Sequence, residues 1–285
     1  MAIAFLGMGL LGSNFVQAML ERGEQVHVWN RSAAKAEALA AAGAKVFGTA
    51  AAAVKDMDYI HITLRDDDSV NEVLAAAVPG LKAGAVIIDH TTTSAEGAIR
   101  RTKEWKEKGY AYLHAPVFMG PANAREGSGF MLVSGDQAVV ARVQTRLDQM
   151  TGQVLNFGPE EGKAAGMKLI GNCFLVTFTA GLADTLSLGK ALHISVKDIG
   201  DLLNIWNPAQ MLPARLRRMT GGDYSKPSWE LNMARKDTQL FMNAVQRGSG
   251  ALAVIPAIAA EMDRWIAKGF GNSDWTVIAK DSVPE

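Results

Sequence analysis

A glycine-rich segment near the start of the chain has the spacing of a phosphate-binding loop. Gly7-Met8-Gly9-Leu10-Leu11-Gly12 fits the pattern GxGxxG, between the apolar run Ile3–Leu6 and the helical pattern Ser13–Glu21. Gly7 permits a tight turn, Gly9 lets the backbone approach a pyrophosphate, and Gly12 lets the helix pack closely on the strand. The first amides of the helix add unpaired N–H donors and partial positive charge. We therefore predict that all six residues of this loop bind a dinucleotide.

The residues after the second predicted strand indicate which dinucleotide. A site selective for NAD usually has an acidic residue here, which accepts hydrogen bonds from the ribose 2′-hydroxyl. This chain instead has Asn30, Arg31 and Ser32, with Lys35 close behind. A carboxylate would repel a 2′-phosphate, whereas an arginine holds one through paired, charge-assisted hydrogen bonds. We assign these four residues to the cofactor site and predict NADP(H) rather than NAD(H).

The elements that position these residues follow from the alternation of apolar runs and helical patterns in the first part of the chain. Strand, helix, strand in regular order predicts parallel strands with right-handed crossovers, which is an α/β, Rossmann-type doubly wound sheet. Eight runs read as strands: Ile3–Leu6, Gln25–Trp29, Lys45–Phe47, Tyr59–Leu64, Ala85–Asp89, Ala111–Pro116, Gly129–Ser134 and Gln153–Phe157.

The pattern changes after Gly158-Pro159, and from Gly162 onward only helical patterns remain. Lys163–Lys190 predicts one long helix whose apolar residues go nearly all the way round. Such a helix must be buried on most sides, by its own domain or by a second subunit. We predict an NADP-binding Rossmann domain over residues 1–160 and an all-α substrate and dimerisation domain over residues 161–285.

Composition and charge exclude several classes. The 285 residues include 29 Lys plus Arg against 29 Asp plus Glu, so no net field recruits nucleic acid or an anionic membrane. Cys173 is the single cysteine, so no internal disulfide forms, and no Cys/His spacing indicates a metal site. Met1–Leu20 lacks the basic start of a signal peptide, and Leu169–Ala183 is shorter than the ~20 residues of a spanning helix. We expect a cytoplasmic protein.

Three further segments carry a family resemblance. They are Asp89-His90-Thr91-Thr92-Thr93, Gly162 to Asn172, and Arg235-Lys236-Asp237-Thr238-Gln239-Leu240. In this order they resemble the DxST, GxGxxxKxxxN and KDxxLA motifs of the β-hydroxyacid dehydrogenase family, with Ala164 in place of one glycine. That family includes 3-hydroxyisobutyrate and 6-phosphogluconate dehydrogenases, and imine reductases are its relatives. The resemblance covers essentially the whole chain.

The resemblance implies that Lys168 is the general acid/base. Hydride transfer between nicotinamide C4 and a carbonyl carbon leaves charge on the oxygen, so a proton must reach or leave that oxygen. A lysine in a cleft between the two domains supplies both the proton and a positive field. An ordinary lysine titrates near ~10.4, so this role requires burial or a neighbouring cation, which Lys236 would be. Asn172, one helical turn on, would hydrogen-bond the reacting hydroxyl.

The same resemblance implies further contacts. Thr92 would lie beside the nicotinamide, and Leu64, at the end of the fourth predicted strand, is assigned to the cofactor as well. Lys236 would reach the cofactor and Asp237 the substrate. Alternatively, Lys236 and Asp237 form an ion pair within the helical domain and have no role in binding.

The substrate loop departs from the family. His114–Gly127 resembles DAPVSGGxxxAxxG, but Phe118 and Met119 replace the Ser-Gly pair that holds the substrate carboxylate in the family. An apolar pocket desolvates a carboxylate without compensating hydrogen bonds. We therefore expect Phe118, Met119 and Gly120 to bind an aldehyde, a ketone or a cyclic imine with an apolar body. Three residues of the helical part are further candidates for this pocket: Trp206, Met211 and Trp229.

These features predict an NADP(H)-dependent oxidoreductase of the β-hydroxyacid dehydrogenase type, a homodimer or homotetramer that takes a small carbonyl, hydroxy acid or imine. One alternative is an imine reductase that acts on cyclic imines. Imine reductases also lack the Ser-Gly-Gly loop, but they usually replace the catalytic lysine, so Lys168 favours carbonyl or alcohol chemistry. The other alternative is a sensor that binds NADPH without turnover.

The substitution Arg31→Ala tests the cofactor preference. Because the guanidinium is expected to hold the 2′-phosphate, we expect the KM for NADPH to rise far more than the KM for NADH. Steady-state kinetics with both cofactors measures this difference. Equal effects on the two cofactors would contradict the assignment.

Overall fold

The computed structural model describes residues 2–248 and 250–284. The described residues divide into two compact units, one that extends to Cys173 and one that begins at Phe174. The division falls within a long helix, whereas the boundary expected from the sequence lies near residue 160, before that helix begins. The extent of each functional domain stays a prediction.

The first unit contains a six-stranded parallel sheet. Its strand order is β3-β2-β1-β4-β5-β6, so the order reverses between β1 and β4. This is the predicted doubly wound arrangement, and each observed strand lies within its predicted run. Strands β1, β4 and β5 are buried along their whole length, as expected of apolar strands covered by helices on both faces. The strands are β1 Ile3–Leu6, β2 Val26–Trp29, β3 Lys45–Val46, β4 Tyr59–Ile62, β5 Val86–Asp89 and β6 Ala111–His114.

A second sheet of three strands follows, and its separation from the first sheet was not predicted from the sequence. Its strands are β7 Val117–Phe118, β8 Phe130–Val133 and β9 Gln153–Asn156. Strand β7 is antiparallel to β8, and β8 is parallel to β9. The predicted run through Pro116 ends early, at His114, because proline lacks the N–H that would continue the ladder. The Pro116 carbonyl instead accepts a hydrogen bond from Leu132 N at 2.8 Å.

The helices of the first unit cover the two sheets. They bury apolar faces against the strands and place their amino ends near the strands' carboxyl ends, as βαβ crossovers require. They are α1 Leu10–Glu21, α2 Ala33–Glu37, α3 Ala50–Val54, α4 Asp67–Ala77, α5 Ala95–Glu107, α6 Pro121–Glu126 and α7 Gln137–Asp148.

The long helix α8 runs over Lys163–Ala191, close to its prediction. By length and composition it is the one described helix that could cross a membrane, and most of its apolar side chains are exposed in the single chain. Ile170 is 64% exposed and Val176 is 69% exposed.

The second unit is helical, as predicted. Within its described part the strand pairing is one isolated bridge, between Glu230 and Asp274. Its core consists of Tyr224, Leu231, Ala234, Met262, Trp265 and Val277. Its other helices are α9 Val196–Ile205, α10 Leu212–Thr220, α11 Leu231–Arg247 and α12 Ile255–Trp265, followed by a π-helical turn Ile266–Phe270 and a 3₁₀ helix Trp275–Ser282.

Candidate functional site

The candidate site lies at the carboxyl ends of β1, β2, β4 and β5, around the point where the strand order reverses. Ligands of open α/β sheets bind in the crevice at such a point. The loop after β1 holds the GxGxxG residues, and the loop after β2 holds Asn30 to Lys35. The loops after β4 and β5 bring Leu64 and Thr92 to the same edge.

The three glycines of the first loop have different surroundings. Gly7 has a φ of +102°, and a Cβ there would lie 2.1 Å from the Thr63 carbonyl oxygen. A Cβ at Gly12 would lie 2.0 Å from the Gly7 carbonyl oxygen. A Cβ at Gly9, by contrast, would meet nothing within 4 Å. Gly7 and Gly12 are therefore required by close contacts in the fold, whereas Gly9 leaves open space for a ligand.

Hydrogen bonds hold this loop to its neighbours. Asn30 Oδ1 accepts from Met8 N at 2.9 Å, and Asn30 Nδ2 donates to the Ser32 carbonyl oxygen at 2.9 Å. Thr63 Oγ1 donates to the Gly7 carbonyl oxygen, also at 2.9 Å. Asn30 is therefore a connector between two loops, in addition to its predicted cofactor role.

A cleft of about 450 Å³, here called the outer cleft, brings the predicted cofactor residues together. Arg31, Ser32 and Lys35 are exposed and line it beside the glycine loop, which suits a phosphorylated ribose. Glu72 and Arg65 line it too, and neither was predicted from the sequence. The outer cleft is lined by Gly7, Gly9, Trp29, Asn30, Arg31, Ser32, Lys35, Thr63, Leu64, Arg65, Ser69, Glu72, Val73 and Ala76.

A second cleft of about 340 Å³, the inner cleft, shares Gly9, Thr63, Leu64 and Arg65 with the first. Lys168 and Met119 line it, but Phe118 does not. Of the three loop residues predicted to bind the substrate, Met119 therefore lines this cleft, and the substrate contacts of Phe118 and Gly120 stay predictions. The inner cleft is lined by Gly9, Leu10, Leu11, Gly12, Thr63, Leu64, Arg65, His90, Thr91, Thr92, Val117, Met119 and Lys168.

Lys168 is held in a defined position in the first turns of α8. The residue is 8% exposed, and its Nζ donates to Asn172 Oδ1 at 3.0 Å. Burial lowers the pKa of Lys168 from its usual value, because desolvation disfavours the ammonium. Lys168 and Asn172 lie on one face of the helix, as predicted, and the hydrogen bond between them was not predicted. The roles of both residues in catalysis stay predictions.

A buried pair of histidines lies at the inner cleft: His90 is part of its lining, and His61 is hydrogen-bonded to His90. His90 Nδ1 lies 2.9 Å from the Ala115 carbonyl oxygen, so it must donate there, and His90 Nε2 accepts from His61 Nδ1 at 2.9 Å. Burial lowers the pKa of His90 to about 4 and that of His61 well below its usual value. Both rings are neutral at neutral pH. Neither histidine was predicted as part of the site, although both lie at or near the carboxyl ends of adjacent strands, β4 and β5.

A second buried network fixes the loop that carries Thr92. Asp89 Oδ1 accepts from Thr91 N at 2.9 Å, and Tyr112 Oη donates to Asp89 Oδ2 at 2.6 Å. Arg101 is fully buried; its Nε donates to Tyr112 Oη and its Nη2 to Thr93 Oγ1, each at 2.9 Å. These hydrogen bonds connect Arg101 to both ends of the network and stabilise one conformation of the loop Thr91–Thr93.

The predicted site residues of the second unit lie on α11 and near α9 and α10. Lys236 Nζ lies 3.0 Å from Asp237 Oδ1, and the Lys236 side chain is 55% exposed. Trp206 lines an apolar cavity within this unit, and Trp229 packs edge-on against Trp275 at 5.5 Å. Met211 is exposed. Their roles in binding stay predictions.

Several known proteins are similar to this chain in sequence. A sequence model of the NAD binding domain of 6-phosphogluconate dehydrogenase matches residues 2–158. The oxidoreductase YfjR of Bacillus subtilis, described as uncharacterized, is 25% identical over 98% of this chain and 99% of that protein. Glyoxylate/succinic semialdehyde reductase 2 of Arabidopsis thaliana is 26% identical over 96% of this chain and 76% of that protein.

A third relative has a different overall length. The human cytokine-like nuclear factor N-PAC is 28% identical over 95% of this chain, but the match covers 49% of that protein. This chain therefore spans about half the length of that relative.

Solved structures share the whole fold. An imine reductase of Myxococcus stipitatus in complex with NADP⁺ has a TM-score of 0.90 at 21% identity and covers 98% of this chain and 99% of its own. A reductive aminase of Aspergillus terreus, in complex with NADPH4, cyclohexanone and allyl amine, has a TM-score of 0.90 at 24% identity and covers 99% of both chains. At these identities the likeness establishes the fold.

The glycine loop offers a matched pair of substitutions. Gly12→Ala places a methyl group against the Gly7 carbonyl, so we expect the free energy of unfolding to fall by about 1–3 kcal/mol, together with weaker NADPH binding. Gly9→Ala meets open space, so we expect unchanged stability without cofactor but weaker NADPH binding, because the methyl group occupies the path of the phosphate. Denaturant unfolding and fluorescence titration measure the two effects. Full NADPH affinity in Gly9→Ala would exclude the phosphate from this loop.

Proposed function

Because the chain belongs to the family defined by the NAD binding domain of 6-phosphogluconate dehydrogenase, we propose that it is an NADP(H)-dependent reductase of small apolar carbonyl compounds. The comparisons confirm the resemblance to hydroxyacid dehydrogenases and imine reductases, and the chain is an NAD(P)-dependent oxidoreductase of that group. The choice of NADP, the role of Lys168 and the substrate are our proposals. The observation that carries them is the buried Lys168 ammonium in the same cleft as Gly9, Leu64 and Thr92.

The cofactor preference is supported by charge. Arg31 and Lys35 present two cations to the outer cleft, where a 2′-phosphate would need them. The similar structures of imine reductase and reductive aminase hold NADP⁺ and an NADPH form, although an imine reductase variant holds NAD⁺. Glu72 in the same cleft is one carboxylate against these cations, so the balance of charge there favours the phosphorylated cofactor.

When bound, the nicotinamide supplies a hydride to the carbonyl carbon. The chain supplies the matching proton: Lys168 Nζ donates it to the carbonyl oxygen as negative charge develops there, so the product is an alcohol. Asn172 Oδ1 fixes the position of Nζ through the 3.0 Å hydrogen bond. Burial of Lys168 disfavours the ammonium, so the lysine gives up its proton more readily than an exposed lysine does. The neutral amine then takes a proton from solvent to restore the starting state.

We infer the substrate class from the substrate-loop side of the cleft. Val117 and Met119 line the cleft together with Lys168, whereas its other polar residues come from the loops after β4 and β5. Apolar side chains on the loop side favour an aldehyde or ketone with an apolar substituent over a hydroxy acid whose carboxylate is bound there. A cyclic imine is the second candidate, because its ring is apolar and its nitrogen, like a carbonyl oxygen, is a single acceptor for the Lys168 proton.

Replacement of Lys168 tests the proposal. We expect Lys168→Ala to lower kcat/KM for carbonyl reduction by roughly 10²–10⁴-fold, with NADPH affinity little changed. Assays of NADPH oxidation with aldehydes, keto acids and cyclic imines measure activity, and fluorescence titration measures binding. Lys163→Ala, an exposed lysine at the start of the same helix, is the matched control. Tight NADPH binding without turnover of any substrate by the wild type would favour the sensor.

The pH profile adds a second readout. The general acid acts in its protonated form, so kcat/KM for reduction is expected to be constant at low pH and to fall as pH rises through the pKa of Lys168. Since burial lowers that pKa, the fall should begin below the pH at which an exposed lysine titrates. A profile without this limb in the wild type would contradict the assignment of Lys168.

We also propose that the protein is a homodimer in which a second copy covers the exposed apolar residues of α8. Exposed apolar surface on this scale is typical of a contact surface. Light scattering is expected to give twice the 30.4 kDa mass of the chain, and Val176→Glu is expected to shift the protein toward the monomer. Lys190→Glu, at an exposed polar position of the same helix, is the control. A monomeric wild type at micromolar concentration would refute the dimer.

A further inference from the structure

The ring of Phe118 lies on Lys168 rather than in the wall of the inner cleft. Lys168 Nζ is 4.3 Å from the centroid of the Phe118 ring, which is within the range of a cation–π interaction. All residues of this contact belong to the first unit, since β7 and the first turns of α8 both precede Phe174.

The helix has a notch for this ring at Gly171. A Cβ at Gly171 would lie 2.3 Å from Phe118 Cζ and 2.8 Å from Cε1, so any larger residue would displace the ring. Glycine is a poor helix former, and its place in the interior of α8 is therefore explained by this packing. We call Phe118, Gly171 and Lys168 together the aromatic clamp.

The clamp fixes how many hydrogen bonds Lys168 can offer. An ammonium has three N–H donors. One is used by Asn172 Oδ1, and a second side of the ammonium faces the Phe118 ring. What remains of the ammonium faces the inner cleft, which Lys168 lines. The lysine can therefore serve one small acceptor atom well, but has no free pair of donors for a two-oxygen group.

We propose that Phe118 determines substrate specificity by making the Lys168 end of the cleft accept a single carbonyl oxygen or imine nitrogen and reject a carboxylate close to the reacting carbon. Asn172 and the Phe118 ring occupy two sides of the ammonium, so a carboxylate there would lose its hydration and gain at most one N–H donor from Lys168. A carbonyl or imine with an apolar substituent loses little hydration and gains the one remaining N–H donor. This inference rests on the proposed function, because it names the substrate class of the same site.

Matched ketones test the proposal. Butanone and 2-oxobutanoate share a four-carbon chain with the carbonyl at C2, and in 2-oxobutanoate a carboxylate replaces the methyl group next to that carbonyl. The ratio of their kcat/KM values therefore measures the rejection. We expect Phe118→Ser to shift this ratio toward 2-oxobutanoate by on the order of 10-fold, and Phe118→Tyr to keep the wild-type preference. An unchanged ratio in Phe118→Ser would overturn the proposal, and so would a wild type that prefers 2-oxobutanoate.

Substitution of the notch tests the same contact without a change at Phe118. Gly171→Ala pushes the ring off Lys168, so we expect its ratio of kcat/KM values to shift in the same direction as that of Phe118→Ser. Gly166→Ala is the matched control on the same helix, because a Cβ at Gly166 would meet nothing within 4 Å. Equal ratios in Gly171→Ala and Gly166→Ala would contradict a role of the clamp, whereas unchanged NADPH affinity in both would show that the cofactor site is intact.

A spectroscopic readout separates this inference from the proposed function. With ¹³C-labelled lysine, the ε-CH₂ protons of Lys168, assigned by their loss in Lys168→Arg, should be shifted upfield by the ring current of Phe118. The shift should disappear in Phe118→Leu and persist in Phe118→Tyr. Absence of the shift in the wild type refutes the clamp even if carbonyls are reduced. The shift with no turnover of any substrate refutes the proposed function and leaves the geometry of the clamp established.

Discussion

The site depends first on a close contact between backbone segments. The loop after β1 and the start of α1 approach the end of β4 so tightly that neither Gly7 nor Gly12 has room for a Cβ. This contact forms because β1 and β4 are adjacent strands at the point where the strand order reverses. At such a point the connections that follow the two strands run in opposite directions and leave a crevice between them. Everything else at the site is arranged around this edge: the exposed cations after β2, the hydroxyl loop after β5 and the ammonium from α8.

The cations that line the two clefts differ in their exposure to solvent, and the difference matches the two tasks of the proposed reaction. The outer cleft presents Arg31 and Lys35 to water, where a phosphate can be bound without loss of most of its hydration. In the inner cleft Lys168 is almost fully buried, and burial lowers its pKa. In the proposed function the two exposed side chains hold the phosphate, whereas the buried lysine, whose ammonium form is disfavoured by desolvation, donates the proton.

The sheet could be predicted closely because its strands are short apolar runs separated by helical patterns, and strand order follows from the handedness of the crossovers. The small second sheet could not, because Val117–Phe118 is too short to show a period and joins β8 only through contacts distant in sequence. For the same reason the sequence located Phe118 in the substrate loop but not on Lys168. The position of the Phe118 ring depends on Gly171, more than fifty residues later in the chain. The sequence of an apolar helix does not show which side chain packs against one of its glycines.

The buried polar side chains His61, His90 and Arg101 were not predicted as part of the site, for a related reason. Histidine and arginine in strands and helices are read as surface residues, yet Arg101 and His61 have no exposed surface. Their burial is tolerable because most of their polar atoms find partners: Arg101 reaches Tyr112 and Thr93, and the two imidazoles are neutral and hydrogen-bonded to each other. This buried polar layer holds the Thr91–Thr93 loop in place. Its two imidazoles are neutral, and the Arg101 guanidinium is paired with the Asp67 carboxylate at 2.7 Å, so no unpaired charge of this layer competes with Lys168 for the acceptor atom of the proposed substrate.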